Sequence, residues 1–371
     1  MIRILISIIV LGFIVTFHEL GHFFAAKAFG ISVIEFAVGM GPAVFSVRKG
    51  KTKYSLRALP FGGACIMYPG EDAMEPDDDG SREAYDFPKG SGFNEQPAWK
   101  RFLVIFAGPF ANMLLAFLLA VILLWNVGYQ KPVIVEVVPE SAAYEAGLRE
   151  GDVFTSLSVE GVFSKVTTYQ DMQLFLTVNG SFINAGKEVS FTAVSGDGTT
   201  KSGKMKAVYN EAYQRALFGF SYSPANLECK TPGILIRMGI HEVWFSLKSA
   251  VETIRMLFRG DVGFESFSGP VQIVAIMDES VEAADEAGGA PLAALALLDI
   301  SILLSGSMGA MNLFPIPALD GGRLLLILIE MITGKKLPAK VEGIINGIGL
   351  ALLMALMLAI MFKDIFTLAV K

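Results

Sequence analysis

The sequence predicts a polytopic α-helical membrane protein: four transmembrane helices, a small membrane-associated β-sheet with a hairpin, and an inserted extracytoplasmic α+β domain. Three observations carry that expectation. Apolar residues make up 53% of the 371 and charged residues only 18%, a balance too apolar for an ordinary soluble chain. Apolar runs long enough to cross a hydrocarbon core of about 30 Å recur at residues 2–29, 99–127, 292–332 and 341–368. Between the second and third runs the pattern turns to short alternating segments broken by Gly, Pro and Asp. The net charge of −6 leaves no basic face for nucleic acid.

The first run is organised around His18-Glu19-Leu20-Gly21-His22. On a helix, residues i and i+4 share a face, so His18 and His22 can hold one metal ion while Glu19 points at a water beside it, the zinc-peptidase arrangement. The bare pattern also occurs in soluble helices as surface or core histidines, but here no charge stands between Arg3 and Glu19. An ionisable group in a membrane segment costs about 2.5 to 3.5 kcal/mol and calls for a partner or a task. Two of the three histidines in the chain fall in this motif. A helix over residues 2–29 would be about 42 Å long, crossing with a tilt and placing His18 about 22 Å from its outer end. A cleaved signal peptide fits less well, because no small-x-small site follows the run.

Arg48, Lys49, Lys51, Lys53 and Arg57 crowd after this span, whereas Lys131 stands alone after the second. The positive-inside rule therefore places the N-terminus outside and residues 30–98 on the cytoplasmic side. Within them, alternating runs at 33–36, 43–47 and 54–59, separated by Gly39-Met40-Gly41-Pro42 and Pro60-Phe61-Gly62-Gly63, predict a small sheet ending in a hairpin. Its apolar, glycine-rich tip fits two readings. One is an element that dips into the bilayer beside the metal site and pairs with an extended peptide; the other is a cytosolic hairpin on its own core. Residues 70–95 read as a solvated loop. The second span, 99–127, carries Gly108-Pro109-Phe110-Ala111-Asn112, small residues that admit another helix and an asparagine that wants a partner in lipid. A packing notch and a role at the site both fit it. Cys65 and Cys229 fall on opposite sides of the bilayer and are not expected to pair.

Residues 128–210 read as a folded domain. A strand is expected at 133–138, a turn and short helix over 139–148, a strand after Arg149-Glu150-Gly151-Asp152, a helix near 169–176, and two strands joined at Gly196-Asp197-Gly198. Residues 211–291 are expected to be an extracytoplasmic linker with an amphipathic helix at 234–258, lying on the outer membrane surface or docked on the preceding domain. His241, with no second histidine downstream, is expected at the surface. An unbroken helix over 292–332 would be about 60 Å long, so Pro315 and Pro317 must break it. Backbone opened at membrane depth is tolerated where it lines a cavity or is buried in protein, which makes Asp320 the natural third metal ligand. That role is compatible with capping a helix that begins at Gly321. The fourth span, 341–368, follows the positive group Lys335, Lys336 and Lys340.

Four motifs recur in one order along nearly the whole chain: H-E-L-G-H at 18–22, G-P-F-A-N at 108–112, S-G-P-V-Q-I at 268–273 and N-L-F-P-I-P-A-L-D-G-G at 312–322. Between them, P-x-S-A-A-x-x-A-G-L-x-x-G-D at 139–152 resembles a PDZ domain of the bacterial protease type. Together they resemble the bacterial site-2 proteases, intramembrane zinc metalloproteases of regulated intramembrane proteolysis. The resemblance implies that His18, His22 and Asp320 bind Zn2+, that Glu19 is the catalytic base, and that Asn312 contacts the substrate strand. It also implies that the hairpin around Gly62 and Gly63 binds substrate beside the site. It further implies a multi-pass protein of the bacterial inner membrane, with the PDZ domain outside, acting in signalling. Its substrates would be single-span membrane proteins already trimmed outside, anti-sigma-factor-like, or signal-peptide remnants. Envelope-stress members often carry tandem PDZ domains and an asparagine where this chain has one PDZ unit and Ser307. Two other functions compete: a non-catalytic membrane-anchored PDZ receptor, with no need of Glu19 or Asp320, and a zinc transporter. The transporter would need a polar path on both sides of the ion, where the outer halves of the spans offer little except Asp299.

Overall fold

The structure is a computed structural model and describes residues 2–70, 87–211, 213–227, 231–263, 269–336 and 338–370. Glu71 to Asp79, Cys229 and Ser268 lie outside the described residues. In chain order the elements are α1 (Ile2–Ala28), β1 (Val33–Lys49), β2 (Thr52–Met67), α2 (Ala98–Val127), β3 (Tyr129–Val137), α3 (Ala142–Glu145), β4 (Val153–Val159), β5 (Val162–Lys165), α4 (Tyr169–Val178) and α5 (Gly180–Asn184). There follow β6 (Glu188–Val194), β7 (Thr200–Lys206), β8 (Val208–Asn210), β9 (Arg215–Leu217), β10 (Phe220–Leu227), α6 (Pro232–Arg259), α7 (Pro270–Asn312), α8 (Asp320–Thr333) and α9 (Ala339–Val370). They divide into two compact units, residues 1–120 with 264–371 and residues 121–263.

Among the described residues four helices are long and apolar enough to cross a membrane, Ile4–Ala28, Ala98–Val127, Val271–Asn312 and Val341–Phe366. With the sheets they make a polytopic membrane protein that carries a β region. Small residues set how closely the spans of the first unit approach. A Cβ at Gly21 would stand 2.8 Å from Ala111 Cβ, and one at Gly309 would stand 2.9 Å from the Pro109 carbonyl, so α1 meets α2 and α2 meets α7 almost backbone to backbone. At the other end of α2 the buried Arg101 guanidinium pairs with Glu330 of α8. Helix α7 begins at Pro270, well before the expected 292, and is broken at Gly288 and Gly289, the latter at φ 70. The break expected from Pro315 and Pro317 is present, since α7 ends at Asn312 and α8 starts at Asp320.

β1 and β2 pair antiparallel and are longer than the short runs the alternation predicts. Gly39 to Pro42 and Pro60 to Gly63 are irregular strand and not the chain-reversing turns expected; Gly39, Gly41 and Gly62 take φ of 85, 86 and 84 there. The chain reverses instead at Gly50 and Lys51. The curl brings both halves of β2 to β1, so that Ala37 faces Ser55 on one side and Ala64 on the other. Burial alone would raise the Glu35 carboxyl in this sheet, but hydrogen bonds from Ser55 and from Arg57 at 3.1 Å hold it below the usual range.

The second unit is built on a sheet of order β10-β3-β4-β6-β7, with β5 pairing β4. Its core is formed by Ile134, Leu148, Phe154, Leu157, Met172, Phe191 and their neighbours. Helix α4 starts in a capping box in which Thr168 accepts from the Asp171 N–H and Asp171 accepts in return. The reading of 211–291 as linker is corrected by β10, which pairs along β3 from Phe220 to Leu227. Helix α6 is docked on this unit through buried Leu235 and Met238, with Lys248 Nζ donating to Ser164 Oγ at 2.8 Å. His241 is likewise not a free surface residue, because its Nε2 lies 3.0 Å from buried Asp171.

Asp152, 2% exposed, accepts the Arg149 N–H at 2.9 Å, Ser195 Oγ at 2.6 Å and Lys201 Nζ at 3.0 Å. Burial alone would raise its pKa, but these bonds lower it below 3.8. A depressed carboxylate stabilises the folded state above its unfolded pKa, and that contribution is lost as pH falls through the folded value. Asp152→Ala is therefore expected to cost about 1.5–3 kcal/mol near pH 7, read as faster hydrogen exchange in β4 and β6. The gap from wild type should narrow as pH falls through the depressed folded-state pKa of Asp152. A gap of constant size across that range would show that the charge contributes nothing.

Candidate metal centre

α1 puts His18 and His22 one above the other, both 5% exposed. Asp320 comes from the far end of the chain because α7 stops at Asn312 and the segment 313–319 folds back over the first turn of α8. Gly321 and Gly322 permit this: a Cβ at the first would stand 2.5 Å from the Leu313 carbonyl, and one at the second 2.9 Å from the Ile316 carbonyl carbon. Ala318 is held at φ 71, with its N–H donating to Asn346 Oδ1 at 3.3 Å. Asp320 is itself the first helical residue and Leu319 the N-cap, so Asp320 does not cap the helix as the sequence allowed.

The three side chains converge. Asp320 Oδ2 lies 3.0 Å from His18 Nε2 and 3.2 Å from His22 Nε2, and the two nitrogens are 3.3 Å apart. Among the described residues this is the group of histidine and carboxylate ligands whose donor atoms all lie within 4.8 Å of one another. His22 Nδ1 is 2.8 Å from the Val104 carbonyl, which can only accept, so Nδ1 carries a proton, and in the neutral ring that a metal ligand requires Nε2 is left bare toward the carboxylate oxygen. That bare nitrogen and the Asp320 oxygen would repel at this distance without a proton or a metal ion between them. Donors at about 2.0–2.1 Å around a tetrahedral zinc would be about 3.3 Å apart, which matches the observed separations. Two imidazoles and one carboxylate are also a donor set of catalytic zinc, leaving a position open.

Glu19 lies in the turn between the two histidines, and its Oε2 accepts the Cys65 N–H of β2 at 2.8 Å. Gly63, expected to bind substrate, is the neighbour that lets β2 come so close, since a Cβ there would stand 3.2 Å from Glu19 Cγ. Gly62 turns the strand beside it at φ 84, with the Met40 side chain against it. Asn312 ends α7 and is half-buried.

Three participants escaped the sequence. Val104 and Cys65 act through backbone groups, which leave no mark in side-chain identity. Gly108 stood in a motif that fitted a packing notch and a role at the site alike, with nothing in the sequence to choose between them; a Cβ there would overlap His22 Nε2 and lie 2.9 Å from His18 Nε2, filling the space between the candidate ligands.

Residues 6–356 match Peptidase family M50. The chain is 32% identical over 363 residues to a protein of Clostridium acetobutylicum that carries a provisional zinc metalloprotease name, an alignment covering 98% of this chain and 97% of the relative. It is 30% identical over 431 residues to zinc metalloprotease RasP of Geobacillus kaustophilus, covering 96% of each. It is 29% identical over 433 residues to the regulator of sigma-W protease RasP of Bacillus subtilis, covering 96% of this chain and 97% of that one. The chain belongs to Peptidase family M50, and is an intramembrane zinc metalloprotease of the site-2 type.

Proposed function

We propose that His18, His22 and Asp320 hold the catalytic zinc and that Glu19 is the general base of peptide-bond hydrolysis within the membrane. The observation that carries this is the convergence of two imidazole nitrogens and a carboxylate oxygen on one point, with Glu19 in the turn between the two histidines. When bound, zinc supplies Lewis acidity toward a scissile carbonyl and toward water. Glu19 takes the proton of the attacking water and returns it to the leaving amine, and the Cys65 N–H holds its carboxylate in place for both transfers. The Val104 carbonyl fixes His22 in the tautomer that presents Nε2. A transmembrane helix hides its carbonyls in hydrogen bonds, so the substrate must unwind. The glycine-rich part of β2 at Gly62 and Gly63, with Asn312, holds the opened segment extended.

The substrates we propose are single-span membrane proteins already trimmed outside the membrane, of the anti-sigma-factor kind that the Bacillus subtilis name suggests, and signal-peptide remnants. The N-terminus and the unit after α2 lie outside the cytoplasm, on the asymmetry of Lys and Arg after the first and second spans. That unit is a PDZ domain. In support, its open edge strand β10 and helix α4 border a groove of about 670 Å³ lined by Leu176, Ile183, Phe218, Phe220 and Tyr222, suited to an extended peptide.

Glu19→Gln keeps shape and polarity but removes the base. It should retain zinc while cleavage falls by at least about 100-fold and membrane stubs accumulate. Substantial turnover by this variant would make the mechanism untenable. For the PDZ domain we expect that deleting residues 129–227 leaves cleavage of pre-trimmed stubs intact and permits cleavage of substrates with a folded ectodomain. Loss of stub cleavage at normal zinc content and protein level would make the domain a required receptor instead.

A further inference from the structure

Asn112 is fully buried in α2, and neither Oδ1 nor Nδ2 finds a hydrogen-bond partner among the described residues. Only its backbone carbonyl is engaged, accepting Ser305 Oγ at 2.8 Å. A carboxamide in that state loses water and gains nothing, and the surrounding lipid offers no relief. His18 Nδ1 is in the same condition, buried and without a partner among the described residues. Its counterpart, His22 Nδ1, bonds the Val104 carbonyl.

Helix geometry puts the two residues on facing turns. His22 meets Val104 and both histidines flank Gly108, so stepping outward by a turn on α1 corresponds to stepping forward by a turn on α2, and the helices run antiparallel. Asn112 follows Gly108 by one turn on the same stripe of α2, at the level of His18. Helical side chains lean toward their own N-terminus, so the carboxamide leans back toward Gly108 and the His18 ring that faces it. Gly309 of α7 leaves room on the other flank, since a Cβ there would stand 3.3 Å from Asn112 Cβ. A buried water needs two to four polar partners, and Oδ1, Nδ2 and His18 Nδ1 supply three.

We infer that Asn112 is a positioning residue of the metal centre, its carboxamide holding the Nδ1–H of His18 through one buried water as the Val104 carbonyl holds that of His22. This rests on the assignment of His18 as a ligand. The interaction fixes the tautomer and ring orientation that present His18 Nε2, the task of the outer partner of a metal-binding histidine.

The test measures zinc affinity of the full-length protein in detergent by chelator competition, together with the melting temperature of the zinc-free protein. Asn112→Ala and Asn112→Leu should each bind zinc about 10- to 100-fold more weakly. Asn112→Ser, which keeps a hydroxyl for the water, should recover part of the loss. The zinc-free melting temperature of the Leu variant, which preserves volume, should equal or exceed that of wild type. Wild-type zinc affinity in the Ala and Leu variants would overturn the inference. So would a loss of affinity matched by a fall in the zinc-free melting temperature of the Leu variant, the mark of a packing role. A loss of cleavage at unchanged affinity would overturn it too, placing Asn112 on the substrate. Asp320→Ala, run alongside, separates this from the assignment beneath it: full zinc retention there would sink the ligand set itself, whatever the Asn112 variants show.

Discussion

The structure of the membrane unit depends on one electrostatic constraint: a carboxylate and two imidazoles brought together where water is scarce. His22 holds an Nδ1 proton against the Val104 carbonyl, so in the neutral ring its other nitrogen and the Asp320 oxygen face each other as acceptors at 3.2 Å. Such an arrangement in a low-dielectric interior calls for a positive charge between the two, a proton or a metal ion. Much of the surrounding architecture follows from the need to assemble it. Gly108 must lack a side chain because a Cβ would occupy the point of convergence. α7 must end and the chain must fold back on Gly321 and Gly322, because Asp320 reaches that point only from the start of a new helix.

The second unit solves the same problem of buried charge by ordinary means. Asp152 is met by a backbone N–H, a hydroxyl and an ammonium, and Asp171 by its own capping box and by His241 of α6. Burial alone would raise the Asp171 carboxyl, but His241 and the backbone amides of Thr167 and Thr168 hold it low. Helix α6 is thus tied to α4 and β5 by polar contacts at His241 and Lys248, while Ile236, Ile240 and Trp244 of the same helix stay exposed. That division explains why its sequence fits both a membrane surface and a docked helix: one apolar face packs, and a second remains open.

The candidate ligands were legible because charge is conspicuous in an apolar run. His18, Glu19 and His22 stand out against the first span, and Asp320 against two prolines that no continuous helix could tolerate. What was not legible acts over distance or through the backbone. The strand β10 lies some 80 residues from its partner β3, and nothing in the run from Phe220 to Leu227 names that partner. Val104 and Cys65 contribute a carbonyl and an N–H that any residue would supply. The glycines of β1 and β2 read as turns because Gly and Pro punctuate most chains, yet here they bend strands that continue.

X-ray absorption at the zinc edge, on purified wild-type protein beside Asp320→Ala, addresses the metal centre most directly. Only nitrogen and oxygen donors are expected in the wild type, with the outer-shell scattering of two imidazoles, and the aspartate variant should lose the metal or its carboxylate oxygen. A sulfur donor, or a spectrum unchanged by Asp320→Ala, would contradict the assignment of His18, His22 and Asp320.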